Sequence, residues 1–372
     1  GNEIAYTLNG LNINNPYGNS RSVGLATNAV QEVSVSSGTF SAEYGTALSG
    51  VVNYVTKEGG QRWNGGFRYL GGDRVGGDKN LFFNIDEIQP TNTWRMEGSL
   101  GGPILTDDLK FFSSGVYNYS GGYLYGQRLY RPEDSYLSRE GFPTGDLRRG
   151  SSGAAYYFGP LVHDFADVVG GPSGDGEIVP LNWSRSYNIQ SNLSYHINAD
   201  LKIKLEAVYD NSRSPDPVSS RQSYWFKPDG MRIEQNQGLF QSVELAHVLS
   251  ERTFYTLKAS YIIDQSTNRT FDAWNDPRYL PSFYNRLLPN TAYLTGGVDL
   301  ARFERSTIST GVKFDLVSQM FDIHEVKVGA EVRQHDLEVE SYTLQFRAPV
   351  RPRLEPSFTN VLVNGANFQP YI

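Results

Sequence analysis

Five histidines, His163, His196, His247, His324 and His335, are the first place to look for catalysis or metal binding in this 372-residue chain. No two of them stand four residues apart, no H-E-x-x-H run exists, and no G-x-S-x-G serine waits for a base. They read as strand-face or loop histidines. The chain has no cysteine, which removes disulfides, thiolate metal sites and cysteine nucleophiles together. Two acidic segments carry oxygen ligands of the kind Ca²⁺ takes: Asp164, Asp167, Asp175 and Glu177 around a Gly-Gly-Pro-Ser-Gly run, and Asp272, Asn275 and Asp276 around Trp274. Neither has the spacing of an EF-hand loop, so both also read as solvated loop. Tyr117, Tyr119, Tyr123, Tyr125 and Tyr130 offer an aromatic surface to a carbohydrate or peptide, or else an interfacial belt. The formal charge of -7 forms no basic stripe, so nucleic acid is not an expected partner. The inventory predicts no enzyme and no resident cofactor.

The elements that position these residues are short alternating runs. Ile189, Ser191, Leu193, Tyr195 and Ile197 oppose Gln190, Asn192, Ser194 and His196; Leu201, Ile203, Leu205, Ala207 and Tyr209 oppose Lys202, Lys204, Glu206 and Asp210. Period 2 of this kind wants oil on one side and water on the other. A soluble sandwich alternates too, but its strands average five or six residues, whereas a bilayer asks for about 9 to 11 and these runs reach that. Aromatics gather toward run ends, as Trp183, Tyr187, Tyr195, Tyr209, Phe254 and Tyr261 do. A mean hydropathy of -0.44 does not oppose a membrane, because transmembrane strands hide from averages. No apolar run is long enough for a membrane helix. The connections alternate short (near 105–108, 198–200, 250–252 and 319–324) and long (71–91, 122–182, 211–237, 268–302 and from about 346), which predicts periplasmic turns and extracellular loops. About nine strands are expected: 61–70, 92–104, 109–120, 184–197, 201–211, 238–249, 253–266, 303–317 and 325–344. The fold class is therefore all-β, a transmembrane antiparallel β-barrel. Nine strands cannot close an up-and-down barrel, so the chain is expected to be a piece of a larger one.

Residues 1–60 read differently. Ala29 to Val35 and Gly50 to Lys57 are β-branched runs joined through Ser37-Gly38-Thr39-Phe40-Ser41-Ala42-Glu43-Tyr44-Gly45, and Lys57-Glu58-Gly59-Gly60 is a stop signal. Asn9-Gly10 is a hairpin signal. These runs resemble the C-terminal part of the plug domain of TonB-dependent outer-membrane transporters, where V-x-E-V-x-V-x-x-G leads through A-x-Y-G into G-V-x-N-x-x-T-K. Ser99-Leu100-Gly101-Gly102-Pro103-Ile104 with Leu109-Lys110-Phe111-Phe112 further resembles the Oar-like subgroup, which carries a carboxypeptidase-regulatory-like N-terminal domain; Thr106 stands where that pattern often has Lys.

The resemblance implies an outer-membrane importer of a Gram-negative bacterium, in which a plug (1–60 here, its latter half) gates a 22-strand barrel (61–372 here, its N-terminal part). It implies the TonB–ExbB–ExbD complex as partner through an upstream TonB box, with outer-membrane lipids and an extracellular ligand. A surface lipoprotein lid is compatible with the sequence and not required by it. Plug residues expected to matter for gating are Glu32, Gly38, Glu43, Tyr44, Gly45, Gly50, Asn53, Thr56 and Lys57; lumen-facing candidates are Lys202, Lys204, Glu206, Lys327, Glu331 and Arg333. The substrate is not legible. The alternative is an adhesive or structural barrel whose long loops bind a surface partner, while a passive porin is disfavoured because the plug would occlude it.

Overall fold

A short hairpin begins the chain because Asn9 and Gly10 accept positive φ (50° and 80°), the backbone a tight type I′ turn demands. It joins β1 (Ile4–Leu8) to β2 (Leu11–Asn12), with Leu8 opposite Leu11. After a 3-10 turn at Thr27–Ala29 come β3 (Val30–Ser37) and β4 (Gly50–Thr56). The four make one sheet in the order β2-β1-β4-β3, with β1 parallel to β4 and the other pairs antiparallel. The computed structural model describes residues 4–37, 49–77, 83–132, 134, 147–149, 155–157, 173–216, 221–279, 294–320, 324–347 and 353–363.

The remaining strands form a wall around one side of that sheet. They are β5 (Asn64–Gly72), β6 (Thr93–Ile104) and β7 (Thr106–Ser120); the small loop strands β8 (Tyr125–Gln127), β9 (Leu147–Arg149), β10 (Ala155–Tyr157) and β11 (Ile178–Pro180); then β12 (Ser184–His196), β13 (Leu201–Pro215), β14 (Ile233–Ser250), β15 (Thr253–Arg269), β16 (Ala301–Met320), β17 (His324–Arg347) and β18 (Arg353–Val363). Ten of them pair antiparallel in chain order, β5-β6-β7-β12 through β18, while β8 pairs β11 and β9 pairs β10 in separate two-stranded sheets. The short turns expected near 105–108, 198–200 and 250–252 are present, and 321–323 lie outside the described residues; at the turn between β12 and β13, Asn198 accepts the amides of Asp200 and Leu201. The strands overrun their expected ends on the long-loop side: β13 continues to Pro215 and β14 starts at Ile233. The segment after about residue 346, expected as loop, holds a tenth wall strand. Pro356 lies within β18, the end strand of the described sheet, where a residue without an N–H is tolerated.

The faces are inverted relative to a soluble sheet. On β12 the residues turned inward are Gln190, Asn192 and Ser194, 0%, 4% and 1% exposed, whereas outward Ile189 and Tyr195 are 50% and 45% exposed. Leu205, Val243, Leu257 and Val312 on the next four strands are likewise outward and exposed. The outward hydroxyls of Ser113 and Ser191 satisfy one another at 2.8 Å, which suits a medium without water.

Candidate functional site

The inner face of the wall is where the two sheets meet, and its first component is apolar. Val208, Phe240 and Ile262 sit directly opposite one another across β13, β14 and β15, and all three are buried. They pack against Leu8, Leu11, Ile13 and Val23 of the plug sheet and its connections. A second patch joins Ala26 and Ala29 to Phe112 and Val116 of β7. Sequence reading gave Val208, Phe240 and Ile262 no role, and only register shows that they form one row.

Above that row the plug backbone touches the wall. Asp210 accepts the Gly24 amide at 2.7 Å and Asn188 donates to the Gly24 carbonyl at 2.6 Å, so the two peptide groups flanking one plug residue are both held by the wall. Asn15 donates to Asp264 at 2.5 Å, and Arg305 pairs with the same carboxylate at 2.9 Å. Gly238 makes this approach feasible. A β-carbon there would lie 2.6 Å from the Ser22 carbonyl oxygen and 3.1 Å from Val23 Cα, both backbone atoms.

Toward the short turns the interface becomes a charged latch. Glu58, directly after β4, meets Lys202 at 2.6 Å and Lys204 at 3.1 Å. Lys204 also donates to Thr56 Oγ1 at 3.3 Å. Glu206 accepts from Asn9 at 2.6 Å and from Gln190 at 3.1 Å, and Asn192 donates to the Lys57 carbonyl at 2.5 Å. The Asn9-Gly10 turn presents its carbonyls to Lys258 at 2.8 Å and Lys313 at 3.4 Å. Within the plug, Asn53 Oδ1 accepts from Thr7 and the Gly10 amide, tying this turn to β4.

Burial alone would raise the Glu58 carboxyl, but the hydrogen bond from Lys202 and the attraction of both lysines outweigh it, so Glu58 titrates below its ordinary 4.5. A depressed folded-state value means that its contribution is complete above 4.5 and fades as pH falls through the lower folded value. Protease protection of the 57–64 linker is expected to drop in that acid window and to become less pH-sensitive in Glu58→Gln. An unchanged profile in that variant would remove Glu58 from the latch.

Lys202, Lys204 and Glu206 thus meet the plug, where Thr56 and the backbone of Lys57 touch the wall, while Asn53 bonds within the plug. Lys327, Glu331 and Arg333 share the inner face with Lys313 but pair along their own strand, Lys327 with Glu325 at 2.8 Å and Arg333 with Glu331 at 3.2 Å. Glu32 lies exposed on β3, and Gly50 is buried at the start of β4 opposite Ser37. Gly38, Glu43, Tyr44 and Gly45 fall outside the described residues. Of the loop acids offered for Ca²⁺, Asp175 and Glu177 pair with Arg128, Asp272 with Arg269, and Asp276 with Arg278; Asp164 and Asp167 lie outside the described residues. The tyrosines divide: Tyr117 stacks on Trp94 at 4.8 Å in the outer belt, whereas Tyr125 and Tyr130 are buried in the loops. Sequence reading missed Asn9 and Glu58, which it had used only as a turn and a stop signal.

A small mixed sheet docked on the polar inner face of a wall whose outer face is apolar defines a plugged transmembrane β-barrel. No protein-family model matches the chain. It is 31% identical over 117 residues to the TonB-dependent transporter Oar of Myxococcus xanthus, covering 30% of this chain and 11% of that protein. Its fold is similar to the outer-membrane transporter YddB from Escherichia coli (TM-score 0.52, 12% identity, 93% of this chain and 41% of that one). It is also similar to the alcaligin outer-membrane receptor FauA from Bordetella pertussis (TM-score 0.53, 11% identity, 91% and 40%). The chain thus shares the fold of these outer-membrane proteins and a stretch of sequence with a TonB-dependent transporter, and it spans about two-fifths of the two structures' length and about a tenth of the transporter's.

Proposed function

We propose that the protein containing this chain imports a ligand across the outer membrane, with the plug sheet as its gate and the TonB–ExbB–ExbD complex as the source of force. One observation carries the reading: away from one apolar row and the small patch at Ala26 and Ala29, the plug meets the wall through side-chain hydrogen bonds and ion pairs, from Asn9, Asn15, Gly24, Thr56 and Glu58 to Lys202, Lys204, Glu206, Asp210 and Asp264. Such contacts exchange for water at small net cost, typically about 0.5–1.5 kcal/mol each, so a pulled plug can leave them one after another as the lumen hydrates. The extracellular loops capture the ligand, and the latch near the periplasmic turns holds the gate at rest.

Whole-cell uptake across a panel of ferric siderophores, cobalamin, oligosaccharides and peptides tests this. At least one member should enter only when both the receptor and TonB are present. Receptor-dependent uptake that persists at full rate without TonB would make the barrel a passive pore and end the proposal. Receptor-dependent adhesion with no uptake of any member would favour a surface-binding role instead.

A further inference from the structure

The outer face of the wall carries an arginine pair that the gate does not use. Arg185 on β12 and Arg213 on β13 are direct cross-strand partners, flanked in the same row by Tyr119 on β7 and Gln235 on β14. Like charges placed opposite one another destabilise a sheet. Neither arginine has a carboxylate partner among the described residues: Arg185 lies only over the Trp183 ring at 5.9 Å, and the Nε of Arg213 is buried without an acceptor. Their neighbours do have partners, Arg128 with Asp175, Glu177 and Asp229, and Arg269 with Asp272 and Glu304. The pair lines a cavity of about 640 Å³ that the loops overhang.

Its height on the wall says what could fill it. Below Arg185, the outward residues of β12 are Tyr187, Ile189, Ser191, Leu193 and Tyr195, an aromatic-bounded apolar band about 26 Å long at roughly 3.3 Å per residue. Tyr187 contacts Tyr209 of β13, and Trp94 stacks on Tyr117, so the upper aromatic belt runs beneath the arginine row. Cations directly above that belt, on the long-loop side and outside the lumen, stand at the level of the outer-leaflet headgroups.

We propose that Arg185 and Arg213 bind the phosphate-bearing headgroup of an outer-leaflet lipid, seated in this cavity with its acyl chains along the wall. Guanidinium forks match phosphate oxygens bidentately, and one phosphate between the two would turn their repulsion into attraction. The assignment rests on the outer face of the wall lying in lipid and is independent of import.

Native mass spectrometry of the intact receptor in neutral detergent, titrated with diphosphoryl lipid A, with the same lipid stripped of phosphate, and with inorganic phosphate alone, tests it. Wild type should bind the diphosphoryl lipid, and R185Q/R213Q should bind it at least about tenfold more weakly while keeping its heat-modifiable, folded mobility. R185K/R213K, which keeps the charge, should bind better than the glutamine variant. Equal binding of the diphosphoryl lipid by wild type and R185Q/R213Q would overturn the proposal. So would tight binding of the dephosphorylated lipid, or inorganic phosphate binding as tightly as the lipid.

Discussion

Phe240→Ala is expected to loosen the plug more than any other single truncation in the interface. The ring is fully buried in the middle of the row Val208, Phe240, Ile262 and carries the contact to Leu8, Leu11, Ile13 and Val23. Removing a buried phenyl group typically costs about 3–5 kcal/mol, because the lost transfer energy is joined by a cavity that strands on both sides cannot collapse. The loss should fall on plug docking rather than on the wall, whose ladder is unaffected. The guanidinium midpoint for loss of plug protease protection should therefore fall while the barrel keeps its folded electrophoretic mobility. A docking free energy within about 0.5 kcal/mol of wild type, the behaviour of a surface site, would show that this row is not the anchor.

The second large effect lies on the opposite face. Val243 is 47% exposed in the middle of β14, and in a water-soluble protein Val243→Lys at such a site would be nearly neutral. On a lipid-facing strand it should cost about 2–4 kcal/mol near the bilayer midplane. Ser242→Lys, one residue away on the inner face that already carries Lys202, Lys204 and Lys258, should be tolerated. Folding yield into lipid bilayers at increasing urea separates the two variants. Equal tolerance of both, or the reverse order, would contradict the assignment of faces.

Much of this arrangement was legible in the residues. Asn9-Gly10 announced its turn through the positive φ only such a pair takes cheaply, and the strict alternation of Ile189 to His196 announced a strand with unlike faces. The short turns followed from the gaps between runs. What stayed hidden depends on register between distant segments. Asn9 reaches Glu206 across 197 positions and Asn15 reaches Asp264 across 249, and neither sequence neighbourhood hints at the other. Val208, Phe240 and Ile262 lie on three strands far apart in sequence, and only the ladder aligns them into one row. Lys204 and Glu206, marked by the alternation, meet the plug sheet; Lys327 and Arg333 carry the same mark and pair with Glu325 and Glu331 along their own strand. β18 fell in the stretch from about 346 expected as loop, and its pairing with β17 shows only in the ladder.

The central claim is that the plug must leave the wall for a ligand to pass, and a covalent tether tests it most directly. A β-carbon added at Gly24 would lie 3.6 Å from that of Asp210, within the range of about 3.5–4.5 Å that a disulfide spans, and the chain contains no cysteine to compete. In Gly24→Cys/Asp210→Cys, oxidation is predicted to abolish TonB-dependent uptake of whichever panel member the wild type imports, and reduction to restore it. Undiminished uptake with the disulfide fully closed would contradict the account.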